Sequence, residues 1–258
     1  MKRRDFLGAS CAAGLVGLNG IARGAEGDGR EYYELRKYRM GVGPKKKVLN
    51  NFMRDAALPA FNRAGVGPVG VFNVMYGANE PTLYVLLVHK SLESVFSVGD
   101  RLAADGKYQK AGASFLNVPL SDPAYVRMES WLMAAFAGMP KLEIPTKAKS
   151  RIFELRTYES HSVKAGKKKI EMFNDAGEIA VFRKTGLNPV FFGESLIGPR
   201  LSNLTYMLGF DDMATRDKNW NVFRKDPDWL KLKANTAYHN TVSNISDTML
   251  RPASYSQI

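Results

Sequence analysis

The chain has 258 residues, one cysteine and a formal net charge of +12. A single cysteine excludes a disulfide-stapled scaffold, and a 45% hydrophobic composition excludes an unfolded chain. The positive charge favours anionic surfaces or ligands and is silent on fold.

Residues 1–25 read as an export signal. Lys2, Arg3 and Arg4 form a charged start, and Arg3-Arg4-Asp5-Phe6-Leu7 resembles a twin-arginine signal. The run from Leu7 to Ile21 is Gly- and Ala-rich and too short to span a bilayer, which takes about 20 apolar residues. Ala22-Arg23-Gly24 offers small residues for cleavage after Gly24 or Ala25. Cys11 lies inside this segment, and Gly8 stands where a lipoprotein signal has leucine. The predicted location is therefore outside the cytoplasm, periplasmic or extracellular. The segment holds four positive residues and one negative, so +9 of the +12 belongs to the remainder.

That remainder repeats. Tyr33-Glu34-Leu35-Arg36-Lys37-Tyr38 returns as Phe153-Glu154-Leu155-Arg156-Thr157-Tyr158, Gly65-Val66-Gly67-Pro68-Val69 as Gly186-Leu187-Asn188-Pro189-Val190, and Asp105-Gly106-Lys107-Tyr108 as Asp226-Pro227-Asp228-Trp229. The triplet Lys45-Lys46-Lys47 returns as Lys167-Lys168-Lys169. Matches in one order at nearly one offset mark a duplication.

In chain order, residues 31–40 alternate as a strand, and 44–64 read as a helix that stops at Gly65. Residues 68–76 and 82–89 read as a hairpin around the turn residues 77–81, 91–112 as a second helix, 113–123 as an extra loop and 125–135 as a fourth strand. After a linker at 138–149, the second copy repeats this with strands at 151–160, 189–195, 203–210 and 242–250 and helices at 164–185 and 212–235, the first stopping at Gly186. The predicted fold class is α+β: two tandem ferredoxin-like (βαββαβ) units, 30–137 and 150–258, packed sheet-to-sheet as an α+β barrel.

In the first strand of each copy, alternation puts Tyr33 and Leu35, or Phe153 and Leu155, on one face. Packing these against the helices sends Glu34, Arg36, Tyr38, Glu154, Arg156 and Tyr158 to the open face between the sheets. The two trios then form either a buried ion-pair seam or a cavity for an anionic or phenolic ligand. Tyr206, on the third strand of the second copy, joins the ligand candidates.

The segments Tyr33-Glu34-Leu35-Arg36 and Phe153-Glu154-Leu155-Arg156, together with Pro189-Val190-Phe191-Phe192-Gly193-Glu194 and the Asp226-Pro227-Asp228-Trp229 turn, resemble the NIPSNAP family. The resemblance covers most of the chain after the signal. It implies the dimeric α+β-barrel fold, akin in shape to small monooxygenases and haem-handling proteins, and no catalytic residue. Asn73 departs from it, standing where the second copy has Glu194.

Glu194, beside two phenylalanines, is a candidate acid or base or an exposed strand end. The lysine triplets read as a solvated basic face or an anion site near a helix start. His89, His161 and His239 have no metal-pair spacing, so no metal or cofactor is expected. No nucleophile elbow, phosphate loop or dinucleotide fingerprint occurs. The third strands lack the aromatic motif of RNA-binding sheets, so nucleic acid is not an expected partner.

Three functions stay open: an exported ligand-binding or assembly module, a small-molecule enzyme (monooxygenase- or isomerase-like) using the barrel cavity of the second unit, and a basic protein adhering to acidic surfaces. A small anionic or aromatic ligand and a homo-oligomer are the partners considered, with no transmembrane segment.

Overall fold

The computed structural model describes residues 29–76 and 81–258. The segment expected to be an export signal, Cys11 and most of the first hairpin turn lie outside the described residues. The first unit runs β1 (Tyr32–Arg39), α1 (Lys45–Phe52), a π-helical turn (Met53–Ala57), α2 (Leu58–Arg63), β2 (Val69–Val74), β3 (Thr82–His89), α3 (Leu92–Ala104), α4 (Gly106–Leu116) and β4 (Arg127–Ala135). The second runs β5 (Ile152–Glu159), α5 (Val163–Asn174), α6 (Glu178–Lys184), β6 (Asn188–Ile197), β7 (Asn203–Phe210), α7 (Met213–Lys225), α8 (Pro227–Ala234) and β8 (Asn244–Pro252).

The repeated sequence signals have local causes. Gly65 and Gly186 end α2 and α6 in the left-handed conformation, at φ 74° and 80°, where a side chain is strained. Asp105 and Asp226 break each predicted second helix into two. Each aspartate carboxylate accepts the backbone N–H groups two and three residues on, capping α4 and α8. The extra loop expected at 113–123 is shorter, because α4 continues to Leu116.

The strands close into one barrel in the order β1-β3-β2-β8-β5-β7-β6-β4. Each unit supplies a ferredoxin-like sheet, β4-β1-β3-β2 or β8-β5-β7-β6. Two seams join the units. Phe72, Asn73 and Val74 of β2 pair with Pro252, Arg251 and Leu250 of β8. At the other seam Leu132–Ala135 of β4 pair with β6, through a register shift. Gly193 allows that approach, since a Cβ there would lie 2.9 Å from the Cβ of Met133.

The barrel interior is apolar, and all eight strands contribute to one buried cluster that includes Tyr33, Leu35, Phe72, Trp131, Phe153, Leu155, Phe191, Met207 and Leu250. Rings cross between the units, with Tyr33 and Phe191 centroids 4.9 Å apart and Phe72 and Phe153 5.1 Å apart. Two further clusters lie outside, each between one half-sheet and its helices.

This reverses the expected faces of β1 and β5. Tyr33, Leu35, Phe153 and Leu155 point into the barrel, while Tyr38 and Tyr158 belong to the helix-side clusters. Both sheet faces are buried, so alternation sorts residues into two sets without saying which set meets the helices. The six trio residues therefore line no common cavity. They form two separate groups, one in each helix–sheet interface.

Candidate functional site

In the first unit, β1 directs Glu34 and Arg36 outward under the helices. Arg36 donates to Glu34 through Nε and Nη2, at 2.6 and 2.9 Å, and the Ser130 hydroxyl donates at 2.8 Å. His89, fully buried, brings Nε2 to 3.7 Å from Glu34, too long for a full hydrogen bond, so Arg36 is the firm anchor. Burial alone would raise the Glu34 carboxyl, but His89, Arg36 and Ser130 outweigh it and hold it down at about 2. The Arg36 guanidinium packs over Phe61, 5.5 Å from the ring centroid. Around this network the interface is largely aliphatic and aromatic, with Leu49, Ala57, Phe61 and Val85 in the buried cluster beside Tyr38.

The second unit keeps the trio and adds charge around it. Glu154 is fully buried and accepts four side-chain hydrogen bonds from two elements. Arg156 donates at 2.8 Å, Arg216 of α7 through Nε and Nη2 at 2.9 and 2.8 Å, and the Trp220 indole at 2.7 Å. Burial raises this carboxyl, and the donors outweigh burial and lower it. Arg216 and Trp220 stand four residues apart, one helical turn, which is why both reach the same carboxylate.

Arg156 lies over Trp220, 4.9 Å from its centroid, and reaches Asp247 of β8 at 3.2 Å, while its buried Nε has no hydrogen-bond partner among the described residues. Behind it, the Tyr158 and Tyr206 hydroxyls share a 2.9 Å hydrogen bond. Burial raises both phenols above the usual range, Tyr206 the more strongly. Beyond the tyrosines, Lys169 of α5 donates at 2.6 Å to Glu178 of α6, and these residues are only 5% and 1% exposed. Lys169 also sits over Phe173 and Tyr158, 4.6 and 5.8 Å from their centroids. Burial raises the Glu178 carboxyl, opposed by Lys169.

Thus Glu154, Arg156, Tyr158 and Tyr206 come together, and Lys169, Glu178, Arg216 and Trp220 complete the group from the helices. The sequence offers the lysine triplets as a solvated basic face or an anion site near a helix start, whereas Lys169 is buried. The available signal was spacing: Lys169, Met172 and Phe173 are buried on α5 as Leu49, Phe52 and Met53 are along the first-unit helix. Glu194 stays outside this group. It pairs with Lys167 at 2.6 Å near the surface, with its side chain 27% exposed, and so lacks the apolar enclosure its phenylalanine neighbours suggested.

The NIPSNAP family profile matches residues 33–130 and 153–257, one match in each unit. The chain belongs to the NIPSNAP family. No curated protein matches this NIPSNAP chain at significance. Among solved structures it is similar to a protein of Lactobacillus acidophilus NCFM proposed to be a monooxygenase, at 10% identity and a TM-score of 0.55, covering 86% of this chain and 94% of that one. A similarly described protein of Fusobacterium nucleatum matches at 7% identity and a TM-score of 0.56, covering 87% and 93%. These likenesses show the fold. An uncharacterized NIPSNAP-like domain protein from Burkholderia xenovorans is 20% identical, with a TM-score of 0.38, over 43% of this chain and 91% of its own.

Proposed function

We propose that this NIPSNAP protein is exported and binds a small anionic or phenolic ligand in the helix–sheet interface of its second unit. One observation carries the reading. The duplication supplies an internal control, because the same interface is built twice. The first unit fills it largely with Leu49, Ala57 and Val85, whereas the second holds Lys169, Glu178 and Tyr206 in the matching interface. Buried charges are seldom better for stability than apolar residues of similar volume. A more heavily charged version beside a less charged one in the same fold therefore points to use rather than support.

The chemistry suits an aromatic acid or a phenolate. Tyr158 and Tyr206 are neutral donors, and Arg156 offers a guanidinium whose Nε has no hydrogen-bond partner among the described residues. Arg156 and Arg216, with side chains 14% and 24% exposed, mark the approach from the surface. Isothermal titration with 4-hydroxybenzoate, benzoate and phenol tests this. Binding is expected to weaken about tenfold in Tyr206→Phe, the loss of roughly one good hydrogen bond. The reading fails if none of the three binds, or if Tyr206→Phe and Arg156→Gln bind as the parent does.

The export proposal rests on Arg3-Arg4-Asp5-Phe6-Leu7 and the small-residue exit at Ala22-Arg23-Gly24. Changing Arg3 and Arg4 to lysine is expected to leave uncleaved protein in the cytoplasm. Normal export of that variant would refute the twin-arginine route.

A further inference from the structure

A surface cleft of about 490 Å³ opens where β2 meets β8, beside the first turns of α1, lined by Lys46, Asn50, Asn73, Tyr76 and Arg251 among others. It lies at the β2–β8 seam between the units, apart from the second-unit cluster.

We propose that this cleft is a binding site for a small hydroxylated oxyanion, either a hydroxycarboxylate or hydrogen phosphate. The duplication again supplies the comparison. On β6, Glu194 lies opposite Leu204 of β7, and on β2, Asn73 lies opposite Leu83 of β3 at the same place in the repeat. In the second unit a lysine near the start of the helix, Lys167, is neutralised by Glu194 at 2.6 Å. In the first unit Lys45, the counterpart of Lys167, pairs with Asp122 at 2.6 Å, and the next residue, Lys46, shares the cleft with Asn73, which carries no charge. Arg251 enters from the other unit, held there by the pairing of its backbone with Asn73. Among the described residues, neither Lys46 nor Arg251 has a carboxylate partner.

Among the described residues the cleft thus holds two cations without a carboxylate partner, and neutral Asn73 stands where the second unit has Glu194. An external anion fills that place. The second requirement comes from Asn73, whose Oδ1 is buried and accepts no hydrogen bond among the described residues. A buried acceptor without a donor is unfavourable, so an occupant bearing a hydroxyl is favoured over a bare carboxylate. Tyr76, largely exposed at the rim, supplies a further hydroxyl.

The test is isothermal titration of the cleaved protein with inorganic phosphate, L-malate and acetate at matched ionic strength. Saturable one-to-one binding is expected for phosphate or malate, with acetate at least about tenfold weaker. The stronger of phosphate and malate identifies the source. Lys46→Gln and Arg251→Gln, both at exposed positions, are each expected to weaken binding about tenfold. Asn73→Glu installs the second unit's arrangement and is expected to abolish binding while the protein stays folded by circular dichroism. Lys107→Gln, a distant charge-matched control, is expected to change nothing, which separates this site from general charge attraction. No saturable binding, or equal binding by Asn73→Glu and Lys46→Gln, overturns the proposal.

Discussion

Replacing Lys169 with methionine probes the second-unit cluster at its most expensive point. The Lys169–Glu178 pair is 2.6 Å long, which at an effective dielectric constant of about 20 corresponds to roughly 6 kcal/mol of attraction. Each ion loses several kcal/mol of hydration when buried, so the intact pair is close to neutral overall. Lys169→Met removes the attraction and leaves the cost of Glu178, a loss of about 3–5 kcal/mol. For a chain of this size that is a fall in Tm on the order of 10 °C. The penalty has a pH sign. Burial already raises the Glu178 carboxyl against the pull of Lys169, and the substitution removes that pull. A carboxyl with a raised folded value binds its proton more tightly when folded, so stability is retained at low pH and lost as pH rises through that value. The variant is therefore expected to be closer to the parent at pH 5 than at pH 8. The double change Lys169→Met with Glu178→Leu restores the apolar design of the first unit and is expected to recover most of the loss. Urea unfolding at both pH values measures all of this. A single variant within about 1 kcal/mol of the parent at pH 8, or a double variant no better than the single, would refute the reasoning.

Other outcomes follow from the same geometry. Glu34, held at about 2 against an ordinary 4.5, contributes on the order of 3 kcal/mol that is present above about pH 4.5 and lost as pH falls toward 2; acid unfolding of Glu34→Gln is expected to lack that part of the dependence. The raised phenols of Tyr158 and Tyr206 favour the folded state while protonated, so stability is expected to fall as pH rises past about 10, with their ionisation absorbance appearing only on unfolding. Gly193→Ala places a methyl group against Met133 at the β4–β6 seam and is expected to cost about 1–3 kcal/mol by chemical denaturation.

The strands, the glycine-capped helix ends and the duplication were legible because the glycine and aspartate signals recur in register, whereas the breaks that Asp105 and Asp226 make inside the second helices were not. Gly65, Gly186, Asp105 and Asp226 each act within a few residues of themselves. The faces of β1 and β5 were not legible, because both faces are buried and differ only in what is delivered to them. Glu154 is accepted under the helices because Arg216 and Trp220 arrive there, 62 and 66 residues later in the chain. No property of Glu154 itself announces those donors. Lys169 was hidden by its neighbours, since Lys167 and Lys168 are solvated and the three look alike in sequence.

Joining both units in one chain has a consequence for what such a barrel can become. In a symmetric pair of identical chains, every substitution appears twice. A residue useful on one side must be tolerated on the other, and an ill-placed buried charge is suffered in duplicate. The covalent tandem releases that constraint, since a change at position 169 has no forced counterpart at position 49. The linker across 138–149 also keeps the two sheets at high effective concentration, so closure of the barrel does not depend on how dilute the protein is. One lobe is then free to gather charge while its twin carries the stability of the shared barrel.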